Sequence, residues 1–188
     1  MTDEIKQHIG QFFPLEEKDL DIFLSKFKPI SLKKGELFIE EGKKCNYIGF
    51  IVKGCLMCVY NNDGNEIIDE FSLENEFIAD YKNFIDNQFA EKDVKCIEDS
   101  EILVVKYKDL SDLYSQKQSF ERVGRLIAES LFKNWHDKAV SLVIDDAKTR
   151  YEKLIKNRAT LPQRVPQYLV ASYLGITPQS LSRIRKAT

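Results

Sequence analysis

The sequence predicts an α+β protein: a β-sandwich or barrel first, then a long helix, then two short helices joined by a tight turn. Three observations carry this. Residues 28–107 alternate short apolar segments of period two with glycine turns. Residues 117–144 carry apolar side chains at gaps of three and four. Residues 165–186 combine a helix cap, a small residue, a glycine and apolar positions at the offsets of a helix-turn-helix. The domain boundaries follow as 1–116, 117–144 and 145–188.

Residues 3–27 read as helical, because Leu15, Leu20, Phe23, Leu24 and Phe27 recur at helical spacing. Glu16, Glu17 and Asp19 favour the N-terminal end of such a helix. The period changes near Lys28. Residues 29–32, 37–39, 47–52 and 55–60 read as strands, punctuated by Gly35, Gly42 and Gly54. Residues 61–64, Asn-Asn-Asp-Gly, form a hairpin turn from which residues 66–71 pair back, and 94–97 and 102–107 add late strands. Cys55 and Cys58 invite a metal or redox reading. On a strand, however, residues three apart point to opposite faces, and no second ligand pair stands at a suitable spacing. The four cysteines, Cys45, Cys55, Cys58 and Cys96, therefore read as buried packing thiols.

Residues 109–116 form a short helix and 117–144 a long one. Phe120, Val123, Ile127, Leu131, Trp135, Ala139 and Leu142 run along one stripe of the long helix. A stripe of this kind at the junction of two domains reads as a subunit contact, so Phe120, Val123, Ile127, Leu131, Trp135 and Leu142 are expected at a homodimer interface. Asp145 and Asp146 open a basic helix ending near Asn157, and residues 161–166 read as a linker.

In the terminal pair, Pro166 suits the start of the first helix, Leu169, Val170 and Leu174 form its apolar side, and Ala171 is small where a second helix comes close. Gly175 supplies the turn, and Thr177 caps the second helix with Pro178 at its first position. Leu181 and Ile184 face the first helix; Gln179, Ser180, Arg183 and Lys186 face outward. Such a second helix enters the DNA major groove. Arg183 is the first choice for guanine O6 and N7, Gln179 for adenine N6 and N7, and Ser180 for a base or a phosphate. Arg185, Lys186, Arg164 and Gln167 read as contacts to the DNA backbone.

Charge distribution agrees. The chain of 188 residues carries a formal −2, yet from Ala147 onward nine basic side chains face only Glu152. That is +8 on the terminal segment and −10 on the rest, so the nucleic-acid partner, double-stranded DNA, belongs at the C-terminal end. Apolar runs fall short of the ~20 residues of a membrane span, so no membrane partner is expected. The first residues hold no apolar signal region, which makes a cytoplasmic protein the expectation. An enzyme of cupin type would need histidines inside the barrel, and residues 28–107 contain none. No enzymatic activity, metal or cofactor is therefore expected.

The order of parts, Gly35, Gly42, Gly54 and Gly64 at the turns, and Tyr173-Leu-Gly-Ile-Thr-Pro-Gln-Ser-Leu-Ser-Arg-Ile-Arg185 at the end resemble the Crp/Fnr family of bacterial transcription regulators over essentially the whole chain. The resemblance implies an N-terminal jelly-roll β-barrel of cyclic-nucleotide-binding type, a long dimerisation helix and a C-terminal helix-turn-helix domain. The sequence stops at Thr188, so the wing hairpin of many members is expected to be missing. Many members carry glutamate where Gln179 stands, which implies an altered base preference there.

The effector motif departs further. Members that bind cyclic AMP carry Phe-Gly-Glu and, about a dozen residues on, Arg-Ser. Here the first run is Phe77-Ile-Ala-Asp80, and Ala90-Glu91 stand in the place of the second. An acid there repels a phosphate, and no arginine occurs anywhere in residues 1–121. Tyr81, Phe84, Phe89 and Glu91 are the candidate effector-pocket residues, with the aromatics expected to fill rather than line it. The iron–sulfur branch of the family needs clustered N-terminal cysteines, and none precedes Cys45. Of the two histidines, His8 and His136, the latter reads as a polar or interface residue rather than a haem ligand.

The expected function is thus a dimeric, sequence-specific transcription regulator on an inverted repeat, with an unknown effector and RNA polymerase as a further candidate partner. The rivals are the same scaffold gated by a cyclic nucleotide and a module that binds a protein through its terminal helices.

Overall fold

The computed structural model describes residues 15–187, together with Lys6 and Gly10. The part of the expected first helix before residue 15 otherwise lies outside the described residues. What is described begins with α1 (Glu17–Leu24), whose Phe23 and Leu24 are fully buried.

The strands then form two four-stranded antiparallel sheets. One has the order β1 (Lys28–Leu32), β8 (Ser100–Lys106), β3 (Tyr47–Lys53), β6 (Phe77–Ile78). The other has β2 (Leu37–Ile39), β7 (Asp93–Cys96), β4 (Leu56–Asn62), β5 (Asn65–Ser72). This is the jelly roll that the resemblance implies, within the sandwich-or-barrel class that the alternation predicts. β4 and β5 meet at Asn62 and Asn65 around Asp63 and Gly64, both at positive φ, which is the two-residue hairpin the Asp-Gly pair favours. The strand β6 spans two residues and was not anticipated; so short a segment has no period to read.

The short helix α2 (Tyr81–Ile85) lies outside the sequence expectation, whereas α3 (Tyr107–Tyr114), α4 (Gln118–Ile144), α5 (Ala147–Asn157), α7 (Gln167–Tyr173) and α8 (Pro178–Ala187) follow in the expected places. Between them, the segment expected to be a linker contains the one-turn helix α6 (Leu161–Arg164). Leu161 is fully buried there, and an apolar anchor of this kind orders what composition alone would leave irregular.

Two hydrophobic cores result. The first lies between the sheets and is closed by Phe23 of α1 and by Phe120, Val123 and Ile127 of α4. The second lies on the outer face of β4 and β5, where Met57, Val59, Ile68 and Phe71 pack against Tyr151, Leu161, Val165, Leu169 and Val170 of the terminal helices. The first part of β4 is therefore covered on both faces: Leu56 and Cys58 enter the first core, Met57 and the preceding Cys55 the second, while Tyr60, Asn61 and Asn62 are exposed. The two cysteines of the C-x-x-C point to opposite sides of one sheet, as strand geometry requires. All four cysteines are free and buried, and burial pushes the Cys55 thiol up to about 12.

Gly54 sets the join between β3 and β4. Its φ is 111°, and a Cβ there would stand 2.2 Å from Ser100 Oγ and 2.8 Å from Ser100 Cα. Left-handed strain and overpacking each cost about 1–3 kcal/mol. Gly54→Ala should therefore lower the stability by about 2–5 kcal/mol, seen as a lower urea midpoint at unchanged slope. An unchanged midpoint would show that this corner rearranges without cost.

Candidate nucleic-acid interface

The terminal helix pair is built as its sequence requires. Gly175 takes φ 67° at the turn, and its amide and that of Ile176 donate to Ser172 O and Ala171 O. Thr177 Oγ1 accepts from Ser180 N at 3.2 Å, capping α8. Ala171 is fully buried and Leu181 nearly so, while Ile184 is half-buried; these positions join α7 to α8. Gln179, Arg183, Arg185 and Lys186 are exposed, and Ser180 is half-exposed with its hydroxyl 3.0 Å from that of Thr177. Gln179, Arg183 and Lys186 are spaced four and three apart, so they share one face of α8. Gln167 is exposed at the start of α7.

Arg164 has a different occupation from the expected one. Its guanidinium makes a two-pronged contact to Glu74, with Nη1–Oε2 2.8 Å and Nη2–Oε1 2.7 Å, and a further ion pair to Glu98. The planar fork of arginine matches one carboxylate in this way and leaves little to offer a phosphate. In this arrangement Arg164 fastens α6 to the roll rather than standing free as the expected DNA-backbone contact. The Arg164 fork holds the Glu74 carboxyl down at about 2. Arg158 acts beside it, donating to Phe71 O and pairing with Glu76 at 3.1 Å. Ser172 of α7 accepts from Ile68 N, and the rings of Tyr173 and Phe71 stand 5.3 Å apart.

The stripe on α4 divides in two. Phe120, Val123 and Ile127 are at most 3% exposed and belong to the first core, and Leu131 packs partly against it. Their expected place at a subunit contact is corrected for that reason: the roll of the same chain covers them. The second half turns outward: Trp135 is 59% exposed and Leu142 42%, and Phe132 and Val143 beside the stripe are 63% and 84% exposed. Spacing alone merged a core face with an exposed one, because the first core covers this stripe only as far as Leu131.

At the expected effector pocket, Phe84 is buried against Tyr107 and stacked with half-buried Tyr81, so these two aromatics fill space. Phe89 is exposed beneath Lys44, and Glu91 is exposed and paired with Lys82, so neither lines a cavity. The buried Asp80 carboxylate accepts from Glu91 N and from Asn83 Nδ2, both at 2.9 Å. A backbone donor that could face an anion is thus taken by the protein's own carboxylate.

A buried ionic group that sequence reasoning missed lies nearby. Lys92 Nζ is 2.6 Å from Asp69 Oδ2, and Lys138 of α4 reaches the Asp69 carboxylate at 3.6 Å and its carbonyl oxygen. Burial would raise Asp69, but the two ammonium groups hold it below the usual carboxylate range. Burial lowers Lys138, which also lies 4.7 Å over the Tyr173 ring. The available signal was a charged residue, Asp69, directly after apolar Ile67 and Ile68 within a strand. Among the described residues, no group of three or more His, Cys, Asp and Glu is placed to hold a metal.

The Arg164 clamp has a definite pH signature. A carboxyl depressed from 4.5 to about 2 stabilises the fold above pH 4.5, and that contribution is lost as pH falls through 2. Arg164→Ala should cost about 1–3 kcal/mol at pH 7, given a pair that is partly solvated. The gap to the unsubstituted protein in urea unfolding should narrow as pH falls from 4.5 toward 2. A gap constant over that range would assign the loss to packing instead.

The cyclic nucleotide-binding domain family matches residues 29–117. No curated protein matches the chain in sequence. Among solved structures, the c-di-GMP-responsive global regulator CLP of Xanthomonas campestris is similar at 17% identity and TM-score 0.70, over 92% of this chain and 91% of that one. FixK2 of Bradyrhizobium japonicum is similar at 18% identity and TM-score 0.73, over 86% and 83%. The catabolite activator protein of Thermus thermophilus is similar at 17% identity and TM-score 0.57, over 94% and 84%. Residues 29–117 thus match the cyclic nucleotide-binding domain family, and the chain as a whole shares its fold with these solved structures.

Proposed function

We propose that this protein is a cytoplasmic, sequence-specific DNA-binding transcription regulator that acts as a homodimer on an inverted repeat. The observation that carries the reading is α8: Gln179, Arg183 and Lys186 stand exposed on one face, backed by buried Leu181, on a segment of formal charge +8. Arg183 would read guanine and Gln179 adenine in the major groove. Ser180, Arg185, Lys186 and Gln167 would set register on bases or phosphates. The regulators that share the fold support the same class.

The partner contact in this reading is the outward half of α4. Phe132, Trp135, Ala139 and Val143 recur at gaps of three and four, with Leu142 beside them. Joined there, two copies would present their α8 helices on successive turns of the duplex, about 34 Å apart. The sensor roll is read as not taking cyclic AMP, since Asp80 occupies the Glu91 amide and an acid stands where a phosphate would bind. RNA polymerase is the candidate further partner of the DNA-bound form. No described helix is long and apolar enough to cross a membrane.

Arg183→Ala should cost about 1–3 kcal/mol on the preferred site and relax one base position in selection from a random DNA pool. Arg185→Ala should weaken all sequences alike and flatten the salt dependence. Gel shifts unchanged by both substitutions would remove α8 from the interface. Independently, the double variant Phe132→Asp, Trp135→Asp should sediment as a monomer with its roll intact. Phe120→Ala should instead lower stability by about 3–5 kcal/mol without dissociating the dimer. A double variant that remained dimeric would place the subunit contact elsewhere.

A further inference from the structure

One end of the jelly roll carries lysines where the fold calls for apolar side chains. In the sheet β1–β8–β3 the paired residues form rows across the strands. The central row, Ile30, Ile102 and Ile51, points into the first core. The next inward row along is Lys28, Val104 and Gly49, and the one beyond it pairs Lys106 with Tyr47. Continuing the β1–β8 register past the strand end brings Lys26 level with Lys106.

These residues bound a cleft of about 340 Å³. Its floor is apolar, formed by Ile30, Leu32, Phe38 and Val104, with Leu37 at the rim. Gly49 leaves the space that the Phe38 ring enters, since a Cβ on Gly49 would lie 3.0 Å from Phe38 Cζ. Three ammonium groups, Lys26, Lys28 and Lys106, border it against one acid, Asp109. Among the described residues none of the three lysines is paired with a carboxylate; Lys106 lies 5.8 Å over the Tyr47 ring.

An inward lysine on an edge strand can serve to block pairing with another sheet. That explanation reaches Lys28 on β1, which is an edge, but not Lys106, because β8 lies between β1 and β3. Like charges gathered at one mouth repel unless an anion joins them. An apolar floor of this size with few, convergent polar groups is the usual form of a small-molecule site.

From this geometry we propose that the open end of the roll binds a single-chain amphiphile with an anionic head, namely a medium- or long-chain carboxylate. The carboxylate sits among Lys26, Lys28 and Lys106, and the alkyl chain lies on Phe38 and its aliphatic neighbours. The cleft is separate from the loop closed by Asp80 and needs neither DNA nor a second subunit, so it stands apart from the regulatory reading above.

The test is calorimetric titration of the full chain with monomeric decanoate. Saturable binding with one site per chain is expected. Decyltrimethylammonium, of equal chain length and opposite charge, should bind at least about tenfold more weakly. The variant Lys28→Glu, Lys106→Glu should lose at least about tenfold in affinity for decanoate while keeping the circular dichroism of the parent. If the variant misfolds, Leu37→Asp at the half-exposed rim provides the second probe, with the same loss expected. Absence of saturable heat, equal affinity for the cationic chain, or undiminished affinity in the folded variants would overturn the proposal. So would binding to anionic vesicles with none to monomeric decanoate, because that outcome describes a membrane surface rather than a ligand site.

Discussion

The arrangement depends on one sheet being covered on both faces. Antiparallel sheets commonly leave one side to water. Here β4 and β5 cannot, because Met57, Val59, Ile68 and Phe71 lie opposite the inward set. Something apolar must cover that side, and the terminal helices do so with Leu161, Val165, Leu169 and Val170. Roll and helix-turn-helix thus meet through a core rather than through a flexible tether, and the position of α8 is fixed relative to the roll by that core.

Around this apolar contact runs a polar border. Arg164 takes Glu74 and Glu98, Arg158 takes Glu76 and a carbonyl, and Lys138 ties the long helix to Asp69. Such partly solvated pairs add little to net stability compared with the apolar area they surround. Their effect is orientation: a guanidinium held by two carboxylates tolerates little rotation. Asp69 belongs to β5, Lys92 to the segment before β7 and Lys138 to α4, so this buried group joins three elements that the apolar cores join separately.

Much of this was legible in the chain. Strand alternation located the roll, and the opposite facing of Cys55 and Cys58 followed from strand geometry alone. Gly175 and Thr177 announced the turn between α7 and α8, because a left-handed residue and a capped helix start have few substitutes. Where the reading failed, the cause was tertiary. The stripe from Phe120 to Leu142 has one spacing but two environments, and no local rule marks where the roll stops covering α4. Arg164 looked like one more cation of a basic domain; only the fold brings Glu74 and Glu98, distant in sequence, to its fork. Leu161 anchors a segment whose two prolines suggested a linker.

Under the proposed function, the clamp also bears on the thermodynamics of a protein–DNA complex. Association with a duplex is driven in part by the release of condensed counterions, about 0.9 per phosphate neutralised. A guanidinium already balanced by Glu74 and Glu98 displaces none, and the same holds for Arg158 at Glu76. Of nine cations in the terminal segment, at least these two would add formal charge without adding ionic-strength dependence. The measured slope of log affinity against log salt would then count only the residues turned outward, and net charge would overstate the electrostatic footprint on the duplex.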